Sequence, residues 1–155
     1  MGLTIRLCER QDFSALHILD QACFVPGISY SRRMLQYFLD LPAAECLVAE
    51  ENQIIVGFVL AEADALLGHV ITLDVAESHR RTGTGSALLR EMERRLTRLG
   101  VESIVLETAV NNESGIAFWG HHGYRTEAII KSYYLGRIDA FEMRKRLETQ
   151  SGVSS

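Results

Sequence analysis

Val75-Ala76-Glu77-Ser78-His79-Arg80-Arg81-Thr82-Gly83-Thr84-Gly85-Ser86 joins a β-type run to a strongly amphipathic helical stretch. Glycines at such a junction let the backbone turn tightly and leave its amides uncovered, so several N–H groups can converge on one anion. The positive end of the following helix points the same way, and Arg80 and Arg81 add charge beside it. A pyrophosphate suits that arrangement, although Gly83 and Gly85 alone also fit a plain strand-to-helix turn. Two rival phosphate motifs fail. A Walker loop needs Lys where this chain has Ser86, and the dinucleotide fingerprint needs a third Gly at Leu88.

On either side of this junction the periodicities alternate. Upstream, Leu3–Cys8 reads as a strand. A helix from Gln11-Asp12 carries Phe13, Leu16, Ile18, Leu19 and Cys23 on one face, and Val25-Pro26-Gly27 is a loop. Ser31 caps a second helix with Met34, Leu35, Phe38 and Leu39, whose apolar residues read as core. Glu45–Glu50 and Ile54–Ala63 form a hairpin about Glu51-Asn52-Gln53, and His69–Val75 is a third β run. Downstream, Leu88, Leu89, Met92, Leu96 and Leu99 share a helical stripe from Gly85 to Gly100. Ser103–Ala109 is a strand, Asn112–His122 a short helix stopped by Gly123, and Tyr124–Tyr134 and Asp139–Leu147 two closing strands. The expected fold class is α/β: one domain over residues 1–147, a mixed central sheet of about six to seven strands with helices on both faces. Residues 148–155 read as a polar, disordered tail.

Composition narrows the function. A net charge of -4 argues against a general nucleic-acid grip, which needs a basic surface. Cys8, Cys23 and Cys46 are odd in number and far apart, which fits buried free thiols in a reducing compartment. No signal core and no membrane-length apolar run is present, so a cytoplasmic protein without a membrane partner is expected. His121-His122 is the one metal-like pair. Adjacent helical residues point about 100° apart and no third ligand is suitably spaced, so no metal is expected.

Arg80-x-x-Gly83-x-Gly85 resembles the acetyl-CoA pyrophosphate motif of the GNAT superfamily of N-acetyltransferases, and the order of elements from Leu3 to Leu147 matches that family. A second block strengthens the resemblance. Leu106-Glu107-Thr108-Ala109-Val110-Asn111-Asn112, Gly115-Ile116-Ala117-Phe118-Trp119 and Gly123-Tyr124 are similar to a block of the bacterial ribosomal-protein-alanine N-acetyltransferases and related protein N-terminal acetyltransferases. The ending Lys131-Ser132-Tyr133-Tyr134, Asp139-Ala140 and Met143 matches as well.

The resemblance implies an acetyl-CoA site with Leu73, Asp74 and Val75 along the pantetheine arm, Arg80, Arg81, Thr82, Gly83, Thr84, Gly85 and Ser86 about the pyrophosphate, and Asn112 as a further contact. It implies Glu107 as general base. An α-amine of pKa about 8, or a lysine amine of about 10.4, must lose a proton before attack. Without the family context Glu107 would read as a solvated strand residue, Asn112 as a helix N-cap, and Asp74 as either an acceptor-facing or an exposed strand residue. Trp119 departs from the pattern, which usually has Tyr there to protonate the leaving thiolate. An indole N–H donates a hydrogen bond but does not shuttle protons near neutral pH. Tyr133 or Tyr134 are the substitutes. Lesser departures are Glu77 for Pro and Thr84 for Ile or Leu. The expected partners are acetyl-CoA and an amine, a protein N-terminus first. A small-molecule amine or lysine, or CoA binding with little catalysis, are the alternatives. The Phe24–Tyr30 loop matches the acceptor-lining region.

Overall fold

The computed structural model describes residues 2–148. The strands are β1 (Thr4–Leu7), β2 (Ala44–Glu51), β3 (Ile54–Asp64), β4 (Leu67–Val75), β5 (Ser103–Ala109), β6 (Arg125–Tyr134) and β7 (Ile138–Arg146). They form one mixed sheet in the order β1-β2-β3-β4-β5-β7-β6. The helices are α1 (Phe13–Cys23), α2 (Arg32–Leu39), α3 (Thr84–Arg98) and α4 (Glu113–His121). This is the expected α/β class. The polar tail from 149 onward lies outside the described residues. The chain divides into two compact units, Met1–Glu62 with Val70–Arg94, and Ala63–His69 with the chain from Arg95 onward.

In the first unit, β2 and β3 form a hairpin whose two turn residues, Asn52 and Gln53, both have positive φ (53° and 67°). That is the turn whose twist suits paired strands. The side chains of β3 alternate between two helical layers. Phe58 is fully buried with Leu16 of α1, Leu35 of α2, Val48 and Leu60. A Cβ on its neighbour Gly57 would meet Leu88 of α3 at 3.1 Å. Consecutive strand residues point to opposite faces, so helices cover both faces here.

In the second unit, β4 and β5 pair in parallel over Leu67↔Ser103, Gly68↔Ile104 and His69↔Val105, and β5, β7 and β6 are antiparallel. Both later helices end in the same capping motif. The Val101 N–H reaches the Leu96 carbonyl and that of Gly100 the Thr97 carbonyl; Tyr124 reaches Trp119 and Gly123 reaches Gly120 in the same pattern. Gly100 and Gly123 take the left-handed conformation this motif requires, φ +96° and +93°.

Several local expectations shift. The fourth-turn residue Leu99 is 53% exposed, because the cap ends α3 before its side chain can return to the apolar stripe. Ile18 and Met34 are exposed too, on faces of α1 and α2 turned from their core residues Leu16 and Leu35. The first helix is preceded by a separate 3₁₀ turn over Arg10–Asp12, where the Asp12 carboxylate binds Arg6 and the Glu9 N–H. Tyr124 belongs to the α4 cap, so β6 begins at Arg125. All three cysteines are free and half-buried rather than buried.

Candidate active site

The anion cradle lies wholly within the first unit. β4 ends at Val75, a short 3₁₀ turn spans Glu77–His79, and α3 starts at Thr84. Between them Arg81 and Gly83 both adopt left-handed backbone angles, φ 62° and 90°, with Thr82 between. Alternating handedness turns successive N–H groups toward one concave side, the geometry of an anion nest. Nothing lies within 4 Å of a Cβ built on Gly83, so the loop is uncovered at that position. The residues present therefore fit a phosphate group at the start of α3.

The side chains of the loop hold the loop itself. Thr82 Oγ1 donates to the His79 carbonyl and sits 3.1 Å from Thr84 Oγ1. His79 is fixed between Ser78 (2.8 Å) and Glu51 (2.7 Å). Thr84 is buried, its methyl directed at Gly57. Arg80 donates from Nε to the Val75 carbonyl at 3.1 Å and lies 3.6 Å from the Cys23 thiol. Arg81 is exposed, and Ser86, Leu73 and Val75 are half-buried. The Asp74 side chain is 1% exposed, which removes the exposed-strand alternative; Thr72 donates to its Oδ1 at 2.5 Å.

The candidate acid–base groups lie within the second unit. Glu107 on β5 is mostly buried, and its Oε1 stands 2.8 Å from His69 Nε2 on β4. The parallel register makes this contact: His69 is opposite Val105, and Glu107 is two residues along on the same face. The Tyr133 hydroxyl donates toward Glu107 Oε1 at 3.4 Å, and Tyr134 toward the Glu107 main-chain oxygen at 3.4 Å. A bulge brings both phenols there. Between Ile130↔Ala140 and Tyr134↔Ile138, three residues of β6 face one of β7, with Ser132 at φ 53°. Asp139 stabilises the bulge by accepting the Ser132 N–H at 2.9 Å and the Lys131 ammonium at 3.4 Å. Those contacts hold its carboxyl below the usual range.

Burial, reinforced by the neighbouring Glu107 carboxylate, raises the Tyr133 phenol; burial and Tyr133 do the same for Tyr134. Both stay protonated through the neutral range and serve as donors. His69 escaped the sequence reading. A His at a strand start carries no signal of its own, and only the β4–β5 register brings it to Glu107.

Asn112 and Trp119 have structural work to do. Asn112 Oδ1 caps α4 by accepting the Gly115 N–H at 3.0 Å. Trp119 is buried, with ring centroids 5.1 Å from Phe118 and 5.4 Å from Tyr124. Trp119 and Tyr124 are the two residues whose apolar contact accompanies the α4 cap. The His121 and His122 rings meet edge to face at 5.3 Å, and among the described residues no three His, Cys, Asp or Glu side chains form a metal-holding group.

Residues 13–124 match the family model for the acetyltransferase (GNAT) family. The chain belongs to the GNAT family of acetyltransferases. Among its GNAT relatives, an uncharacterised N-acetyltransferase of Methanocaldococcus jannaschii is 28% identical over 151 residues, 97% of this chain and 96% of the relative. N-alpha-acetyltransferase 30 of Schizosaccharomyces pombe is 28% identical over 117 residues, 72% of this chain and 78% of the relative. The solved ribosomal-protein-S18-alanine N-acetyltransferase of Escherichia coli shares the GNAT fold, with a TM-score of 0.87 at 22% identity, covering 96% of each chain.

Proposed function

We propose that this GNAT acetyltransferase transfers acetyl from acetyl-CoA to the α-amine of a protein or peptide N-terminus. The observation that carries the reading is the His69–Glu107 pair at 2.8 Å, flanked by two phenolic donors. The Arg81–Gly83 nest would hold the pyrophosphate through main-chain N–H groups, with the Arg80 and Arg81 charges beside it. Acetyl-CoA supplies an acetyl group activated as a thioester. Glu107 takes the proton an ammonium must shed, and His69, bonded to the same carboxylate, holds its orientation and spreads the charge. The raised phenols favour a role for Tyr133 and Tyr134 as hydrogen-bond donors over proton release. A thiol has a pKa of about 8.5, so the thiolate is a tolerable leaving group without the tyrosine that Trp119 replaces. The α-amine is favoured over lysine by its lower pKa, about 8 against 10.4, and by the similarity to an N-alpha-acetyltransferase.

The test is thiol release from acetyl-CoA with peptides of varied N-terminus, N-terminally blocked lysine peptides and polyamines. Turnover on free N-termini with little on blocked lysine peptides is expected. Turnover confined to lysine or polyamines would overturn the acceptor assignment, and tight CoA binding without turnover would overturn the catalytic one.

A further inference from the structure

Two carboxyl groups that the acetyl-transfer scheme does not use meet in the interior of the first unit. Asp20 on α1 is 0% exposed and Asp74 on β4 1% exposed. Each is half satisfied. Asp20 Oδ2 accepts the Tyr30 N–H at 2.6 Å, and Asp74 Oδ1 accepts the Thr72 hydroxyl at 2.5 Å. The remaining oxygens, Asp20 Oδ1 and Asp74 Oδ2, are buried with no donor of their own. Yet the two carboxyl groups lie within hydrogen-bond reach of each other. Two ionised carboxylates repel in such a contact, whereas one proton between them removes the repulsion and supplies a donor the buried pair otherwise lacks.

The pair sits where a loop is tied to a strand. The Cys23 thiol, just before the Phe24–Tyr30 segment, donates to the Val75 carbonyl at 3.4 Å. At its other end the Tyr30 hydroxyl donates to the Ile71 carbonyl at 3.5 Å, and the Tyr30 ring packs on Phe38. Both ends are thus anchored along the second half of β4, and the acid pair is a third anchor through the Tyr30 N–H.

We propose that Asp20 and Asp74 share a single proton, one carboxylic acid donating to one carboxylate, and that this bond positions the Phe24–Tyr30 segment along β4 for the amine acceptor. The positioning half rests on the function proposed above; the shared proton does not. Burial and the Asp20 carboxylate both push the Asp74 carboxyl well above the usual range, outweighing Thr72 and the Arg80 cation. The other titratable groups against it are the thiols of Cys23 on α1 and Cys46 on β2, neither of which supplies positive charge.

Folding then takes up one proton wherever the unfolded aspartates are ionised and the native pair is not. The native state binds more protons there, so stability falls as pH rises from the ordinary aspartate range through the raised native value. The unfolding constant grows by about tenfold per pH unit in that window. Asp74→Asn replaces the acid proton with an amide N–H that does not titrate, so this slope should vanish. Infrared spectra of the folded wild-type chain near neutral pH should contain a protonated-carboxyl C=O band that Asp74→Asn lacks. For positioning, Asp20→Ala should raise the amine KM about tenfold with acetyl-CoA affinity retained, and Asp20→Asn should restore it.

No protonated-carboxyl band in the wild type, or equal pH slopes in wild type and Asp74→Asn, would overturn the shared proton whether or not the protein transfers acetyl. An unchanged amine KM in folded Asp20→Ala would overturn the positioning. Should that variant not fold, hydrogen exchange at the wild-type Tyr30 amide serves instead. It should quicken as pH passes the pair's ionisation by more than the ordinary base-catalysed rise seen at the Asp40 amide, and a parallel rise at both would overturn the positioning.

Discussion

In the proposed reaction Glu107 is the base and His69 its hydrogen-bonded partner, and the role of Glu107 has its own signature. Glu107→Gln removes the proton acceptor without changing side-chain size. It should lower kcat/KM for the amine by about 10²–10⁴-fold, the usual worth of general base help, with acetyl-CoA affinity retained. Steady-state kinetics together with calorimetry check both halves. Gly83 makes the opposite prediction. Its φ of +90° disfavours any side chain, and the loop is uncovered at that position. Gly83→Asp should weaken CoA binding by at least tenfold by calorimetry, through backbone strain and a negative charge set in the nest. The amine chemistry would fall only through lost cofactor. Before the structure, Glu107 and Gly83 were marked by family resemblance and local motif. His69 and Asp20 carry no such mark, since the pairing of one depends on strand register and that of the other on helix docking.

At the scale of an element, α4 links the packing of Trp119 to a helix cap. Its last turn closes through Gly123, and the Trp119–Tyr124 ring contact is the apolar clasp of that closure. Trp119→Ala should cost about 3–5 kcal/mol by denaturant unfolding, the range for a buried aromatic. Gly123→Ala should cost about 1 kcal/mol from the left-handed position alone. Trp119→Phe should leave kcat within a few-fold, because no proton donor is removed. Loss of turnover in a folded, CoA-binding Trp119→Phe would assign the indole a catalytic part instead. The chain announced this helix well, with Asn112 as its cap and Gly123 as its stop. The bulge in β6 left no comparable trace, because Ser132 takes its positive φ only once Asp139 accepts its N–H.

For the whole molecule, ligand linkage gives a test that needs no acceptor. A co-substrate that binds only the folded chain stabilises it by about 2.7 kcal/mol at one hundred times its dissociation constant. Acetyl-CoA should therefore raise the melting temperature of the wild type, and Gly83→Asp should abolish most of that rise while Glu107→Gln keeps it. The sequence by itself determined the α/β class, the order and most bounds of the elements, the glycine turn at Arg80–Ser86 and the candidacy of Glu107. The first three are written in local periodicity, turn residues and short motifs, which need no partner to be read, whereas Glu107 was a candidate only through the family resemblance. Only the tertiary structure decided that His69 meets Glu107, that Tyr133 and Tyr134 point their hydroxyls there, and that Asp20 and Asp74 are buried together, each with one oxygen left without a donor. Each of these is a contact between residues far apart in the chain, fixed by strand register and helix docking. No local pattern of residues carries that information.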